Sequence, residues 1–174
     1  MKSTGIVRRV DDLGRIVIPK EIRRTMRIRE GDPLEVFTDR DGSVTFKKYT
    51  PLGELTEYVN VLADVIYHSS GLSCCVVSRD EVLAIRGTPR RTPLGMTISE
   101  EIYKMMDERR FIRCNETPVV ENRDELRTQA IFPIEQDGEI IGAVCILINR
   151  VQLMDRQIGI VQALVDYTSK QMSL

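Results

Sequence analysis

Nine of the first 29 residues are basic: Lys2, Arg8, Arg9, Arg15, Lys20, Arg23, Arg24, Arg27 and Arg29. Only Asp11, Asp12 and Glu21 oppose them, so this stretch carries six excess positive charges in a chain of net charge −1. Seven of the nine are arginines, whose planar fork addresses a phosphate or a guanine edge through two bonds at once. They are spread along two predicted strands and a short helix, so folding gathers them on one face. A folded basic face is the electrostatic footprint of phosphate binding, and double-stranded DNA is the expected partner. The remainder of the chain reverses sign: residues 1–50 have net charge +4 and residues 51–174 net −5. Such asymmetry suggests a nucleic-acid-binding part joined to one that avoids it.

The elements that must position these arginines are short. Thr4 to Val10 reads as a strand, Asp11 to Gly14 as a turn and Arg15 to Ile18 as a returning strand. Pro19 suits the first position of a helix, because its missing N–H costs nothing there. Ile22 and Met26 share one helix face and leave Arg23, Arg24 and Arg27 mostly on the other. Gly31-Asp32-Pro33 closes the unit. Leu34–Thr38 and Ser43–Tyr49 then form a hairpin about Asp39-Arg40-Asp41-Gly42. Four short strands and a two-turn helix are too little to bury a core alone, and no disulfide or metal motif staples them. An obligate dimer sharing one sheet core is the expected solution.

Lys2-Ser3-Thr4-Gly5-Ile6-Val7-Arg8, Asp12-Leu13-Gly14-Arg15-Ile16-Val17-Ile18-Pro19 and Glu21-Ile22-Arg23-Arg24-Thr25 resemble the DNA-binding domain of AbrB-type transition-state regulators. The resemblance implies the swapped-hairpin fold, in which two chains interleave their hairpins. It also implies DNA contacts by Arg8, Arg15, Arg23 and Arg24. Lys2, Arg9, Lys20 and Arg27 complete the candidate DNA-binding set. With its longer C-terminal part, the chain resembles the sporulation regulators of this family, which implies activation and repression of genes in the developing spore.

The expected fold class is α+β: a β-rich swapped-hairpin dimeric domain at 1–50, a short linker at 51–55, and a GAF-like α/β regulatory and oligomerisation domain at 56–174. In that second part, Leu55, Val59, Leu62 and Ile66 step at heptad-like spacing along a predicted helix. Cys74–Val77 and Val82–Ile85 are strand-like. Thr97-Ile98-Ser99-Glu100 reads as a capping box. Phe111–Cys114 is a predicted strand, Asn115–Arg127 a predicted loop, and Ala130–Glu135 with Glu139–Ile148 a hairpin about Gln136-Asp137-Gly138. Pro133 argues for an edge or a bulge. A closing helix from about Met154 to Met172 carries two apolar stripes, one through Ile158, Val161, Val165 and Thr168, the other through Ile160, Leu164 and Tyr167. One stripe covers the helix's own sheet. Leu55, Val59, Leu62, Ile66, Ile158, Val161, Val165 and Thr168 are the candidate oligomerisation residues, and pairing through these helices as well as the N-terminal domain implies a tetramer.

Resemblance to a sensory GAF-type domain implies a small-molecule ligand between the sheet and its covering loops. The loop Arg86–Gly95 is the candidate lid, with Arg90 and Arg91 as anion contacts. A dimerisation scaffold with a filled pocket explains the same residues.

Other function classes fare worse. Cys74, Cys75, Cys114 and Cys145 lie in apolar surroundings without ligand-like spacing and read as reduced core thiols. No phosphate loop, metal motif or nucleophile elbow is present, so neither catalysis nor a cofactor is expected. A GAF-like thiol enzyme is the alternative from that class. An antitoxin is another alternative, since it shares the swapped-hairpin fold. Its toxin-wrapping tail, however, would occupy the place of about 120 patterned residues here. No apolar run approaches the roughly 18–20 residues that span a bilayer, and a cytoplasmic location is expected.

Overall fold

The computed structural model describes residues 4–88, 94–149 and 151–173, which form two compact units, Met1–Tyr49 and Thr50–Leu174.

In the first unit, helix α1 spans Lys20–Thr25, and strands β1 (Leu34–Thr38) and β2 (Val44–Lys48) pair as an antiparallel hairpin with Val36 opposite Phe46. The expected strands at Thr4–Val10 and Arg15–Ile18 have no ladder within one chain. Between the described residues of the two arms, Asp11 N–H donates to Arg15 O at 3.0 Å at the tip. Among the described residues of this unit, Pro19 alone is buried. Val7 is 84 % exposed, and Val10, Leu13, Ile16, Val17, Met26, Val36, Phe37 and Phe46 all lie open. Sequence that alternates like a half-buried strand but stays exposed lacks a second layer.

The second unit has its own sheet. Strands β3 (Cys74–Ser78), β4 (Val82–Arg86), β5 (Ile112–Val120), β6 (Arg123–Gln136) and β7 (Glu139–Leu147) run antiparallel in the order β4-β3-β7-β6-β5. Helices α3 (Thr56–Ser70) and α5 (Asp155–Met172) cover one face, and α4 (Glu100–Met106) the other. Central β7 is buried from Ile140 to Leu147, as its continuous apolar run requires. On one face Phe132, Val144 and Ile146 meet Ile66, Val161 and Val165; on the other, Cys75 and Cys145 meet Ile98, Ile102 and Met106. The mixed helix-and-sheet class expected for this part of the chain is what the structure has.

Three elements differ from expectation. Pro51–Glu54, placed in a linker, forms a helical turn, α2, whose Leu52 is fully buried in the second unit's core. Asn115–Arg127, expected as loop, instead belongs largely to β5 and β6, joined by a turn at Glu121-Asn122. Strand β5 is a sheet edge whose pairing shifts register twice, so its residues show no clean alternation. The N-cap of α4 is Ser99, whose hydroxyl accepts from Ile102 N–H at 3.2 Å and donates to Pro118 O at 2.7 Å; Thr97 instead bridges to Glu81. Pro133 sits on β6 just beyond Ile131, the last residue β5 pairs with at that end, so the missing N–H falls where the strand is locally an edge.

Candidate nucleic-acid interface

The basic candidates sit on three pieces of local structure. Arg8 and Arg9 lie on the first extended arm, both exposed, with Arg8 Nη1 donating to Val7 O at 3.1 Å. Arg15 follows the turn. Asp11 Oδ1 accepts from Leu13 N–H at 3.0 Å and from Arg15 N–H at 2.7 Å, while Oδ2 accepts from Arg15 Nε at 2.8 Å. Gly14 closes the turn at φ +75°, where a side chain would be strained, and its N–H donates to Asp11 O at 3.0 Å. The bonds from the Arg15 backbone and then its side chain hold the Asp11 carboxyl below its usual range, so it is ionised at neutral pH. The side chain of Arg15 remains 70 % exposed.

Helix α1 presents the third group. Pro19 enters at φ −56°, and Arg23 N–H donates to Pro19 O at 2.9 Å. Lys20, Arg23 and Arg24 are spaced at i, i+3 and i+4, which places them on one face, and all three are exposed. At φ +53°, Arg27 follows the helix and its C-cap Met26, and the Arg27 carbonyl accepts from Lys48 Nζ at 2.9 Å. Lys2 lies outside the described residues.

Two residues that the sequence did not single out hold α1 to the second hairpin. Lys48 pairs with Asp32 at 3.1 Å, and the Asp32 side chain is 3 % exposed. Asp32 Oδ2 also accepts from Arg29 N–H at 2.9 Å. A Lys and an Asp sixteen residues apart give no local signal of pairing; the Gly31-Asp32-Pro33 turn was the only hint.

In the second unit the candidate oligomerisation residues are placed differently from expectation. Val59, Leu62, Ile66, Val161, Val165 and Thr168 are buried inside a single chain and present nothing to a second one. Thr168 donates to Leu164 O at 2.9 Å and accepts from Tyr58 Oη at 3.4 Å. Ile158 is half-buried against the same core, and Leu55 is exposed. The stripe chosen is thus the one that covers the helices' own sheet. What stays open is Val61, Val65 and Tyr67 on α3 and Tyr167 on α5, beside half-buried Ile160 and Leu164. The two helices are antiparallel: Tyr58 reaches Thr168, while Gln157 Nε2 donates to Ser70 O at 2.9 Å.

Arg90 and Arg91, the candidate ligand contacts, lie outside the described residues. At the start of that loop Arg86 Nε is paired with Asp64, and its Nη2 reaches Asn60 at 3.2 Å. The sheet face beneath α4 is packed with side chains, including Ile98, Tyr103, Met106 and Val119. Burial pushes the Cys74 thiol up to about 12. The Cys75 thiol is also raised, through its bond to Cys145 and its burial.

Residues 54–173 match the family described as stage V sporulation protein T C-terminal, transcription factor. Residues 7–52 match antidote-toxin recognition MazE, bacterial antitoxin. The chain is 42 % identical over 176 residues to stage V sporulation protein T of Bacillus subtilis (strain 168), covering 99 % of both chains. Its first part is 61 % identical over 51 residues to transition state regulatory protein AbrB of the same organism, which is 29 % of this chain and 52 % of that protein. Residues 122 to 287 of a methyl-accepting chemotaxis protein share the fold of the second unit, with a TM-score of 0.55 at 18 % identity over 67 % of this chain and 85 % of that one. A full-length relative at this identity and a family match over most of the chain agree: the chain belongs to the stage V sporulation protein T family of transcription factors.

Proposed function

We propose that Arg8, Arg9, Arg15, Lys20, Arg23, Arg24 and Arg27, with Lys2, form the DNA contact surface of a swapped-hairpin dimer made from residues 1–50. The observation that carries this reading is the state of the first unit: its described basic candidates and most of its apolar side chains are exposed together. A second copy that covers Val7, Val10, Val17 and Phe46 leaves the arginines outside. The likeness to AbrB over the same residues, a protein whose N-terminal part is described as a DNA recognition domain, supports it. The chain acts by binding and not by turnover, in the cytoplasm, as an activator and repressor of sporulation genes. Among the described residues no helix is long and apolar enough to cross a membrane.

The second unit pairs copies through Val61, Val65 and Tyr167, giving a tetramer when combined with the N-terminal dimers. A small molecule held beneath the 86–95 segment, with Arg90 and Arg91 as anion contacts, would bias how the DNA-binding pairs are presented. Thermal-shift screening of the full chain tests that step. The antitoxin reading draws on the match at 7–52, but residues 54–173 match a transcription-factor family instead of a toxin-wrapping tail. The decisive experiment is DNA affinity against salt. Neutralising roughly 6–10 phosphates predicts a loss of about 10³–10⁵ between 50 and 200 mM salt. A flat curve removes the phosphate-contact model.

A further inference from the structure

We infer that Asp11 is a positioning residue for DNA recognition: it holds Arg15 side-on so that the outer edge of the guanidinium meets the nucleic acid. This rests on the reading of Arg15 as a DNA contact. The turn from Asp11 to Arg15 is closed by its own bonds. Asp11 N–H donates to Arg15 O at 3.0 Å, Gly14 N–H donates to Asp11 O at 3.0 Å, and Asp11 Oδ1 accepts from Leu13 N–H at 3.0 Å and Arg15 N–H at 2.7 Å. These bonds need only an acceptor and a compact turn. The remaining one is different in kind: Asp11 Oδ2 takes the Nε–H of Arg15 at 2.8 Å.

That bond occupies one edge of the fork. A guanidinium offers two donor pairs, Nε with one Nη and the two Nη together. With Nε held, the Nη pair projects from the turn and the side chain keeps 70 % exposure. An exposed ion pair of this type adds little to stability. Its effect is to remove rotational freedom from a long side chain before it binds, which lowers the ordering cost of association. A carboxylate on a DNA-facing turn would otherwise only repel phosphate.

The pairing explains why the turn combines Asp, Gly and Arg. Asp11 needs a carboxylate, because an amide would keep the Oδ1 acceptor and present N–H where Nε must donate. Gly14 needs its positive φ to bring Arg15 back over Asp11. Arg15 needs Nε, which lysine lacks.

The test compares Asp11→Asn with Asp12→Asn in the full chain. Both remove one negative charge from the same turn, and Asp12, which is exposed, stands outside this set of bonds. The probe is a duplex selected by the wild-type chain from a random-sequence library, with affinity measured by fluorescence anisotropy at one salt concentration. Asp11→Asn is expected to bind about tenfold more weakly than Asp12→Asn, the scale of one well-formed side-chain interaction with a base pair. In an Arg15→Lys background, which keeps the charge and lacks Nε, the two variants should bind alike. Equal or tighter binding by Asp11→Asn overturns the proposal. So does a weakening that persists in the Arg15→Lys background, since the turn's fold would then be responsible. If Arg15→Ala and Arg15→Lys both bind like wild type, the reading of Arg15 as a contact fails first, and the proposal with it.

Discussion

The candidate DNA-contact arginines of the first unit are individually exposed, so their effects should be separable one by one. Replacing Arg23 or Arg24 by Ala should weaken DNA binding and lower the slope of log K against log salt by about one for each phosphate no longer neutralised. Arg40→Ala makes the same charge change in the hairpin turn outside the proposed surface and should leave the slope alone; an equal drop there would mean that only net charge matters. The cysteines give a prediction of opposite chemical character. A thiol raised in the folded state stays protonated there while the unfolded chain ionises, so stability is intact below about pH 8.5 and falls as pH rises toward the folded value. For Cys74 that window closes near pH 12. Denaturant midpoints measured across it should fall with pH, with a limiting slope of about 1.4 kcal/mol per unit for each thiol, and Cys74→Ala should flatten the curve. At this scale the sequence was readable where chemistry is local: the basic residues and the Asp11–Gly14 turn could be seen in it. The pairing of Asp32 with Lys48 could not, because it depends on how α1 folds back beside β2.

Between elements, the informative positions are those where packing leaves no choice. Gly142 lies on β7 where a Cβ would stand 2.2 Å from Val77 O and 2.5 Å from Leu52 Cδ1. Gly142→Ala should therefore destabilise the second unit by about 1–3 kcal/mol, toward the upper end because backbone must yield. A melting temperature equal to wild type would show that both the Val77 backbone on β3 and Leu52 on α2 give way without cost. The helix faces can be told apart in the same way. Val61→Glu should shift the oligomeric state by light scattering while the second unit keeps its fold. Val59→Glu, which buries a charge in the core, should unfold it. If Val61→Glu leaves assembly unchanged, the open stripe is not the subunit contact. The sequence revealed both stripes of α5 and the rule that one must cover the sheet. It could not reveal which, since Val161 and Leu164 are equally apolar and differ only in the direction the sheet approaches from. The edge strand β5 was hidden for a related reason: Asn115 and Glu116 are polar and face water, so they look like loop.

For the whole molecule, the division between units governs stability as much as any single interaction. The second unit has two packed faces, whereas the first buries only Pro19 among its described residues. DNA binding should thus depend on chain concentration even where the second unit remains folded. Diluting the chain below its dimerisation constant should abolish the complex, while circular dichroism of the second unit stays constant. Affinity independent of dilution would mean that the first unit is complete in one chain. The sequence indicated this division through its charge reversal and the smallness of its first fifty residues. It placed the division after residue 50, next to the break between the two units, but Leu52 reads as a junction residue until β7 is seen beside it.

The open first unit also bears on how the protein is made. Its arms leave the ribosome ahead of the second unit, with Val7, Val10 and Val17 carrying no ladder of their own. On the proposed dimer they would wait for a partner chain while the second unit, which packs its own core, is synthesised and folds. If two chains complete the first unit as proposed, the segment made earlier should be the later to acquire structure, and neighbouring ribosomes on one message, each displaying a fresh pair of arms, would be where two such chains meet at the highest local concentration.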